Sequence, residues 1–273
     1  MPELPEVETV VRSLAPLVTG QRLARLTVSD PRLGFPPAAC REVAGRTVTT
    51  VFRLGKQVLL QLAPPAPPGG APRWLCVHLR MTGRLLWFPA GEPLPPDRPP
   101  RATLFFPDGR LLFCDTRRFG TLRLLTSLTE AEPAGLEPLS PACTAARLGE
   151  LLRGSRLGLK TWLLRQDRLV GIGNIYASEI LFDCRLHPDR PAGSLQPAEV
   201  VRLHRSLRRI LRRAIAACGT TFDSFQDAHA VSGEYQERLT VYGRGGKPCT
   251  RCRTPVACEP RGGRSTYWCP RCQ

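Results

Sequence analysis

Four cysteines near the C-terminus constrain the fold more than any other feature. Cys249 and Cys252 make one Cys-x2-Cys pair, Cys269 and Cys272 make another, and sixteen residues separate them. Two close pairs at this spacing match the four-thiolate set of a zinc ribbon. Gly262-Gly263 lies midway and supplies the turn that folds one pair back on the other. A closed four-cysteine site leaves no open coordination position, so the metal folds the tail and does not catalyse. The expected cofactor is therefore one structural zinc ion per chain. Such sites contribute on the order of 10 kcal/mol of apparent folding energy, which a short tail with few apolar residues needs. The other seven cysteines, Cys40, Cys76, Cys114, Cys143, Cys184, Cys218 and Cys258, lie mostly in apolar runs and read as small core residues.

Charge narrows the partners. There are 39 Lys+Arg against 23 Asp+Glu in 273 residues, a formal net charge of +16. That excess points to DNA, RNA or an anionic membrane surface, with simple solubility as the bland explanation. No apolar run approaches the roughly 18–20 residues that span a bilayer. The start, MPELPEVETV, is acidic and unlike a leader segment. The expectation is a soluble cytoplasmic protein without a membrane partner. Only Lys56, Lys160 and Lys247 are lysines among the basic residues. An ammonium can have its pKa tuned by burial, whereas a guanidinium stays charged, so those three positions are notable.

The length fits two domains of ordinary size. Residues 5–18 predict an amphipathic helix, with Val7, Val10, Val11, Leu14, Leu17 and Val18 at helical spacing. Pro5 sits in its first turn, and Glu6 and Glu8 suit the positive end of its dipole. From 22 to 128 the pattern changes to short alternating or apolar strands. Leu54-Gly55, Thr82-Gly83 and Asp108-Gly109 are hairpin cues. This half predicts a β-sandwich with an attached N-terminal helix. The Pro/Gly-rich stretches 63–72 and 89–100 read as mobile connections within it. Beyond a Pro-rich and acidic linker at 129–141, helices are predicted over 143–153, 160–168, 174–184 and 197–217. The last has a core stripe of Leu203, Leu207, Ile210, Leu211 and Ala214. Arginines 202, 205, 208, 209, 212 and 213 cover the rest, as a solvated or a phosphate-facing surface. Residues 220–237 read as a loop.

The N-terminus is itself a chemical group. A small second residue normally allows the initiator Met to be removed, leaving Pro2 with a free secondary amine. A free α-amine has a pKa of about 7.7–8.0, so a sizeable fraction is unprotonated and nucleophilic at neutral pH. Attack on a sugar C1′ gives an iminium, a covalent electron sink. Glu3 and Glu6 lie beside it, the first to shuttle protons and the second to orient. Helix-start glutamates are also common dipole partners.

MPELPEVE at the start, HLRMTG at 78–83, DTRRFG at 115–120, GIGNIYASE at 171–179 and the terminal CPRCQ occur in one order along the whole chain. Together they resemble the formamidopyrimidine-DNA glycosylase family, bifunctional base-excision enzymes that remove 8-oxoguanine and ring-opened purines. The resemblance implies an α+β multidomain protein. It comprises an N-terminal β-sandwich (2–130), a helix-two-turn-helix domain (131–240) and a zinc ribbon (241–273). It also implies DNA glycosylase activity with abasic-site lyase activity on duplex DNA, and a monomer, since one chain supplies every motif.

By the same resemblance, Pro2 matches the family's Schiff-base nucleophile, Glu3 its acid/base partner and Glu6 a second active-site carboxylate. Lys56 matches a lysine that contacts phosphate or lesion and assists elimination. Arg264 matches an arginine that grips phosphate during the second elimination. Met81, Arg117 and Phe119 resemble side chains that fill the gap left by a flipped base, with Arg117 reading the orphaned cytosine edge. Asn174 is expected to cap the helix from Ile175 at a phosphate site, with Arg156 and Lys160 near the DNA. The loop at 220–235 matches the segment that closes over the flipped base. The chain departs from the family at RPPRAT, where Pro99 and Arg101 stand in a His-rich stretch, so Arg101 is expected to replace a phosphate-contacting His. Trp268 replaces the more usual Tyr or Phe, and 63–72 looks like an insertion. The endonuclease VIII type usually begins Pro-Glu-Gly-Pro-Glu, and Leu4 argues against it. A non-catalytic zinc-ribbon protein explains charge and cysteines but leaves Pro2, Glu3 and Lys56 without a role.

Overall fold

The computed structural model describes residues 1–65, 70–93, 99–221 and 225–273. The chain divides into two compact units, 1–132 with 218–234, and 133–217 with 235–273. The expected connections at 63–72 and 89–100 fall partly outside the described residues. Among the described residues no helix is long and apolar enough to cross a membrane.

The first unit opens with helix α1 (Leu4–Val18). Its start is built by a capping box: the Glu3 carboxylate accepts from the Glu6 N–H, and Glu6 Oε2 accepts from the Glu3 N–H at 2.8 Å. Reciprocal bonds of this kind satisfy two helix-end donors that would otherwise be orphaned. Val7, Val10, Leu14 and Val18 are fully buried, so the predicted stripe is the packed face.

Two four-stranded antiparallel sheets follow. Strands β1 (Arg25–Val28), β6 (Ala102–Phe106), β7 (Gly109–Asp115) and β5 (Gly83–Pro89) form one in that order. Strands β2 (Thr47–Leu54), β3 (Gln57–Ala63), β4 (Arg73–His78) and β8 (Thr121–Leu125) form the other. Helix α2 (Pro37–Val43) lies between β1 and β2 in sequence. One apolar core contains side chains of α1 and of both sheets, including Leu60, Leu62, Leu75, Val77, Leu104, Leu111 and Phe113. That is the β-sandwich expected from alternation.

The β2–β3 and β6–β7 hairpins turn where Leu54-Gly55 and Asp108-Gly109 predict. Thr82-Gly83 does not make a hairpin. β4 pairs with β3 and β8, while β5 pairs with β7 in the other sheet, so this turn is a corner between sheets. Local turn chemistry is the same for both, and only the partners differ.

Residues 218–234, expected with the helical segment, pack in the first unit. Phe225 and Ala228 join the sandwich core. The Ala228 N–H donates to Ser13 Oγ at 3.0 Å and its carbonyl accepts from the Trp87 N–H at 2.8 Å.

The second unit contains α3 (Ala145–Leu152), α4 (Leu159–Leu163), α5 (Asn174–Asp183) and α6 (Pro197–Ala216). α4 is shorter than predicted, since turns replace helix after Leu163. In α6 the predicted stripe is buried, from Leu203 to Ala214. Its arginine face is not uniformly solvated. Arg208 donates to the carbonyls of Pro138 and Ser140, Arg202 to that of Cys184, and Arg209 pairs with Asp183. Arg205 and Arg212 are exposed. The unit ends in a hairpin, β9 (Ala257–Arg261) and β10 (Arg264–Trp268), whose turn residues Gly262 and Gly263 both have positive φ, +57° and +73°. L side chains strain there, so the paired glycines suit this tight reversal.

Candidate active site and zinc centre

In the first unit, the helix start brings Pro2, Glu3 and Glu6 together. Met1 is 47% exposed, while Pro2 is buried. Glu3 and Glu6 are 3% and 1% exposed. Buried carboxylates are costly unless hydrogen-bonded. Here the capping box serves both, and Glu6 Oε1 also accepts from the Thr220 N–H at 2.8 Å. Glu6 thus joins the first residues to the segment after α6, across more than two hundred positions of sequence.

Lys56 follows Gly55 in the β2–β3 turn and is 8% exposed. Its charge acts on His78, at the end of β4. Burial, then the charges of Arg80 and Lys56, push the His78 imidazole down to about 4. His78 is therefore neutral near pH 7, and its Nδ1 accepts from the Arg80 N–H at 3.0 Å. His78 stands inside HLRMTG, but sequence reasoning assigned a role only to Met81 there.

Met81 and Phe119 are among the few large apolar side chains that are exposed, at 39% and 56%. The guanidinium of Arg117 lies 5.1 Å from the Phe119 ring centre, within cation–π range. The two loops that carry them share a hydrogen bond, from the Arg117 N–H to Thr82 Oγ1 at 3.0 Å.

Arg101 is not on this surface. Its side chain is buried, and its guanidinium donates to Asp30, to Asp115 and to the Gly120 carbonyl. The residue expected in place of a phosphate-contacting histidine thus has its guanidinium engaged by Asp30, Asp115 and Gly120.

In the second unit, Lys160 is likewise buried. Its Nζ donates to the Ser265 carbonyl and to Thr266 Oγ1, both at 2.8 Å. It anchors the β9–β10 hairpin, with its ammonium turned to these two acceptors. Asn174 is the first helical residue of α5 and not its cap, which is Gly173. Its Nδ2 donates to the same Ser265 carbonyl at 3.1 Å, and its Oδ1 is buried without a partner. The start of α5 therefore meets the hairpin one residue beyond Arg264. Arg264 and Arg156 are both exposed, the latter in the loop before α4.

Glu179, also passed over in its motif, is 1% exposed. Its carboxylate accepts from the N–H groups of Thr240, Val241 and Tyr242 at 2.8–2.9 Å. It ties α5 to the segment that enters the ribbon.

The four ribbon sulfurs all lie within 4.8 Å of one another. Cys252 and Cys269 Sγ are 3.4 Å apart, and Cys249 and Cys272 Sγ are 3.9 Å apart. Tetrahedral zinc with Zn–S of about 2.3 Å requires S···S of about 3.8 Å. The donor set fits, and its four soft ligands close the coordination sphere, so the ion is structural. The Arg251 N–H directed at Cys249 Sγ, 3.4 Å away, supports that thiolate.

Comparison with known proteins yields three family matches in series. Residues 1–122 match the formamidopyrimidine-DNA glycosylase N-terminal domain. Residues 134–226 match the formamidopyrimidine-DNA glycosylase H2TH domain. Residues 246–273 match the zinc finger found in FPG and IleRS. A formamidopyrimidine-DNA glycosylase of Symbiobacterium thermophilum is 41% identical over 282 residues, covering 100% of this chain and 89% of the relative. The crystal structure of the MutM (Fpg) protein from Thermus thermophilus matches with TM-score 0.86 and 40% identity, covering 100% of this chain and 98% of the other. A Lactococcus lactis Fpg variant, solved in complex with Fapy-dG containing DNA, matches with TM-score 0.88 and 31% identity, covering 100% and 99%.

Proposed function

The chain belongs to the formamidopyrimidine-DNA glycosylase family, and from that premise we propose how its own residues carry out the chemistry. It is a DNA glycosylase with abasic-site lyase activity, acting in base excision repair of oxidised purines. The reading for its substrate is duplex DNA containing 8-oxoguanine, a formamidopyrimidine or an abasic site.

Removal of Met1 frees the amine of Pro2. The amine lone pair attacks C1′ of the flipped nucleotide. The C1′–N bond breaks and the base leaves with a proton. Glu3 protonates the ring oxygen, which opens the sugar and gives the Pro2 iminium. The iminium acidifies C2′. Loss of that proton expels the 3′ phosphate, and a second elimination expels the 5′ phosphate. Water then hydrolyses the iminium, which releases the unsaturated sugar fragment as an aldehyde and returns the Pro2 amine, and a one-nucleotide gap with phosphate ends remains. Lys56 and Arg264 hold phosphates during these steps. Glu6 keeps the Glu3 backbone in place. Asn174 at the start of α5 and exposed Arg156 contribute further backbone contacts. Met81, Arg117 and Phe119 fill the space of the extruded base, offsetting part of the few kcal/mol that unstacking costs.

The observation that carries this reading is the burial of Pro2 between an exposed Met1 and the Glu3–Glu6 capping box. Burial partly desolvates the amine, which favours its neutral, nucleophilic form, and it places a carboxylate close enough to take up or return a proton. Borohydride trapping on lesion-containing duplex tests it. Mature wild-type protein is expected to give a covalent adduct. Pro2→Gly should lower the trapping rate by about two orders of magnitude or more. An undiminished adduct from Pro2→Gly, or none from wild type, removes Pro2 from this role.

A further inference from the structure

Met81, Arg117 and Phe119 sit on two loops, 80–82 and 115–120. Both loops place a non-glycine residue at positive φ, Arg80 at 55° and Arg118 at 58°. Such positions persist only where the surroundings hold them. The Arg80 N–H donates to His78 and the Arg118 N–H to the Asp115 carbonyl, and one buried polar network joins the two loops.

Its centre is Arg101, 4% exposed. Nε donates to Asp30 Oδ2 at 2.9 Å, and one terminal nitrogen donates to the Gly120 carbonyl at 2.7 Å and to Asp115 Oδ2 at 3.3 Å. Asp115 Oδ2 also accepts from the Gly120 N–H at 2.7 Å, and its Oδ1 accepts from the Thr82 hydroxyl. Thr82 Oγ1 in turn accepts from the Arg117 N–H. Each exposed side chain is therefore on, or one residue from, a group in this network. Met81 adjoins Thr82, Arg117 donates to it, and Phe119 adjoins Gly120. Gly120 has no room for a side chain: an added Cβ would lie 2.7 Å from Phe113 Cζ and 3.0 Å from Asp115 Oδ2. Burial alone would raise the Asp30 carboxyl, but hydrogen bonds from Arg101 and the Arg32 N–H, with the nearby charges, hold it below its usual range. It thus remains a carboxylate partner for Arg101.

We infer that Arg101 is a positioning residue that fixes the spacing of Met81, Arg117 and Phe119, and through Arg117 sets which base is accepted opposite the lesion. The inference builds on the proposed excision chemistry. A buried charge with several partners is suited to this task, since removing it deprives Asp115 and Asp30 of their shared guanidinium and the loops of a common anchor. The guanidinium makes no contact with DNA in this account.

The test is single-turnover excision of 8-oxoguanine opposite cytosine and opposite adenine, beside borohydride trapping at a preformed abasic site. Wild type should favour cytosine by about tenfold or more, as direct arginine reading of a base edge allows. Arg101→Met, and the milder Thr82→Val, should reduce that preference to about twofold or less, with trapping at the abasic site reduced far less than excision. Arg101→Lys should restore part of the preference. In an Arg117→Ala background, Arg101→Met should change the preference no further. Retention of the preference in both Arg101→Met and Thr82→Val overturns the inference. So does a parallel loss of excision and trapping, which marks general damage. Absence of a wild-type adduct is a different outcome, and it strikes the underlying chemistry.

Discussion

The β-sandwich and the zinc ribbon both carry a proposed phosphate-binding residue at a hairpin turn, Lys56 and Arg264, yet they are held by different forces. The sandwich core draws Leu60, Leu75, Leu104 and Phe113 from two sheets and adds the buried face of α1. The ribbon has Val241, Val256 and its own cysteines, packed with Phe182 of α5. Area burial at roughly 25 cal/mol per Å2 can hold the first and cannot hold the second. Hydrophobic burial makes a scaffold in which Arg101 can be kept dry. The ribbon instead depends on a metal and on borrowed anchors, namely Lys160, Asn174 and Glu179.

The largest expected effect separates the two. Chelation of zinc, or Cys249→Ser, should remove about 10 kcal/mol of apparent folding energy from the ribbon. Hydrogen exchange should show β9 and β10 unprotected while β3, β4 and β7 stay protected, and affinity for duplex DNA should fall. Unchanged affinity would break the link between ribbon and binding. The reverse perturbation is smaller. Leu60→Ala removes a fully buried side chain of β3 and should destabilise the sandwich by about 2–5 kcal/mol. Calorimetry should show its transition lowered, with zinc stoichiometry unaltered. Zinc loss on that substitution would show the two to be one cooperative unit.

The smallest effect is a pH dependence confined to the sandwich. His78 goes from the usual 6.5 to about 4 in the fold. The unfolded chain therefore binds a proton in that window that the folded chain refuses. Its contribution to stability is complete above pH 6.5 and is lost as pH falls toward 4. His78→Asn should flatten the fall in melting temperature over this range relative to wild type. An identical slope would assign the dependence to other groups.

Much of this was legible in sequence, and the failures have a common cause. The stripe of α1, the sandwich strands, the α6 core and the four zinc ligands follow from periodicity and spacing, which are local. Arg101 and Lys160 are expected at phosphate or near DNA from the family resemblance alone, which says nothing of the internal partners each side chain has. Their partners stand 71 positions away at Asp30 and 105 away at Ser265, and no local pattern announces such pairs. Thr82-Gly83 looked like a hairpin because a corner and a hairpin use the same residues. Asn174 was placed one position late because Gly173 can itself act as the cap. His78, Asp115 and Glu179 were present in the quoted motifs, but exposed members of a motif attract a chemical role more readily than buried ones.

The carbonyl of Ser265 accepts from both Lys160 and Asn174, and this makes metal binding and helix packing reciprocal. Thermodynamic linkage requires that whatever the hairpin contributes to α4 and α5, those helices return to the zinc affinity by the same factor. An apo ribbon that frays takes two acceptors away from a buried ammonium, so loss of the ion is opposed by a lysine that is not one of its ligands. The metal thus behaves as a distant counterweight to Lys160. Scarcity of zinc would register first as a softening of α4 and the start of α5, before any change in the sandwich.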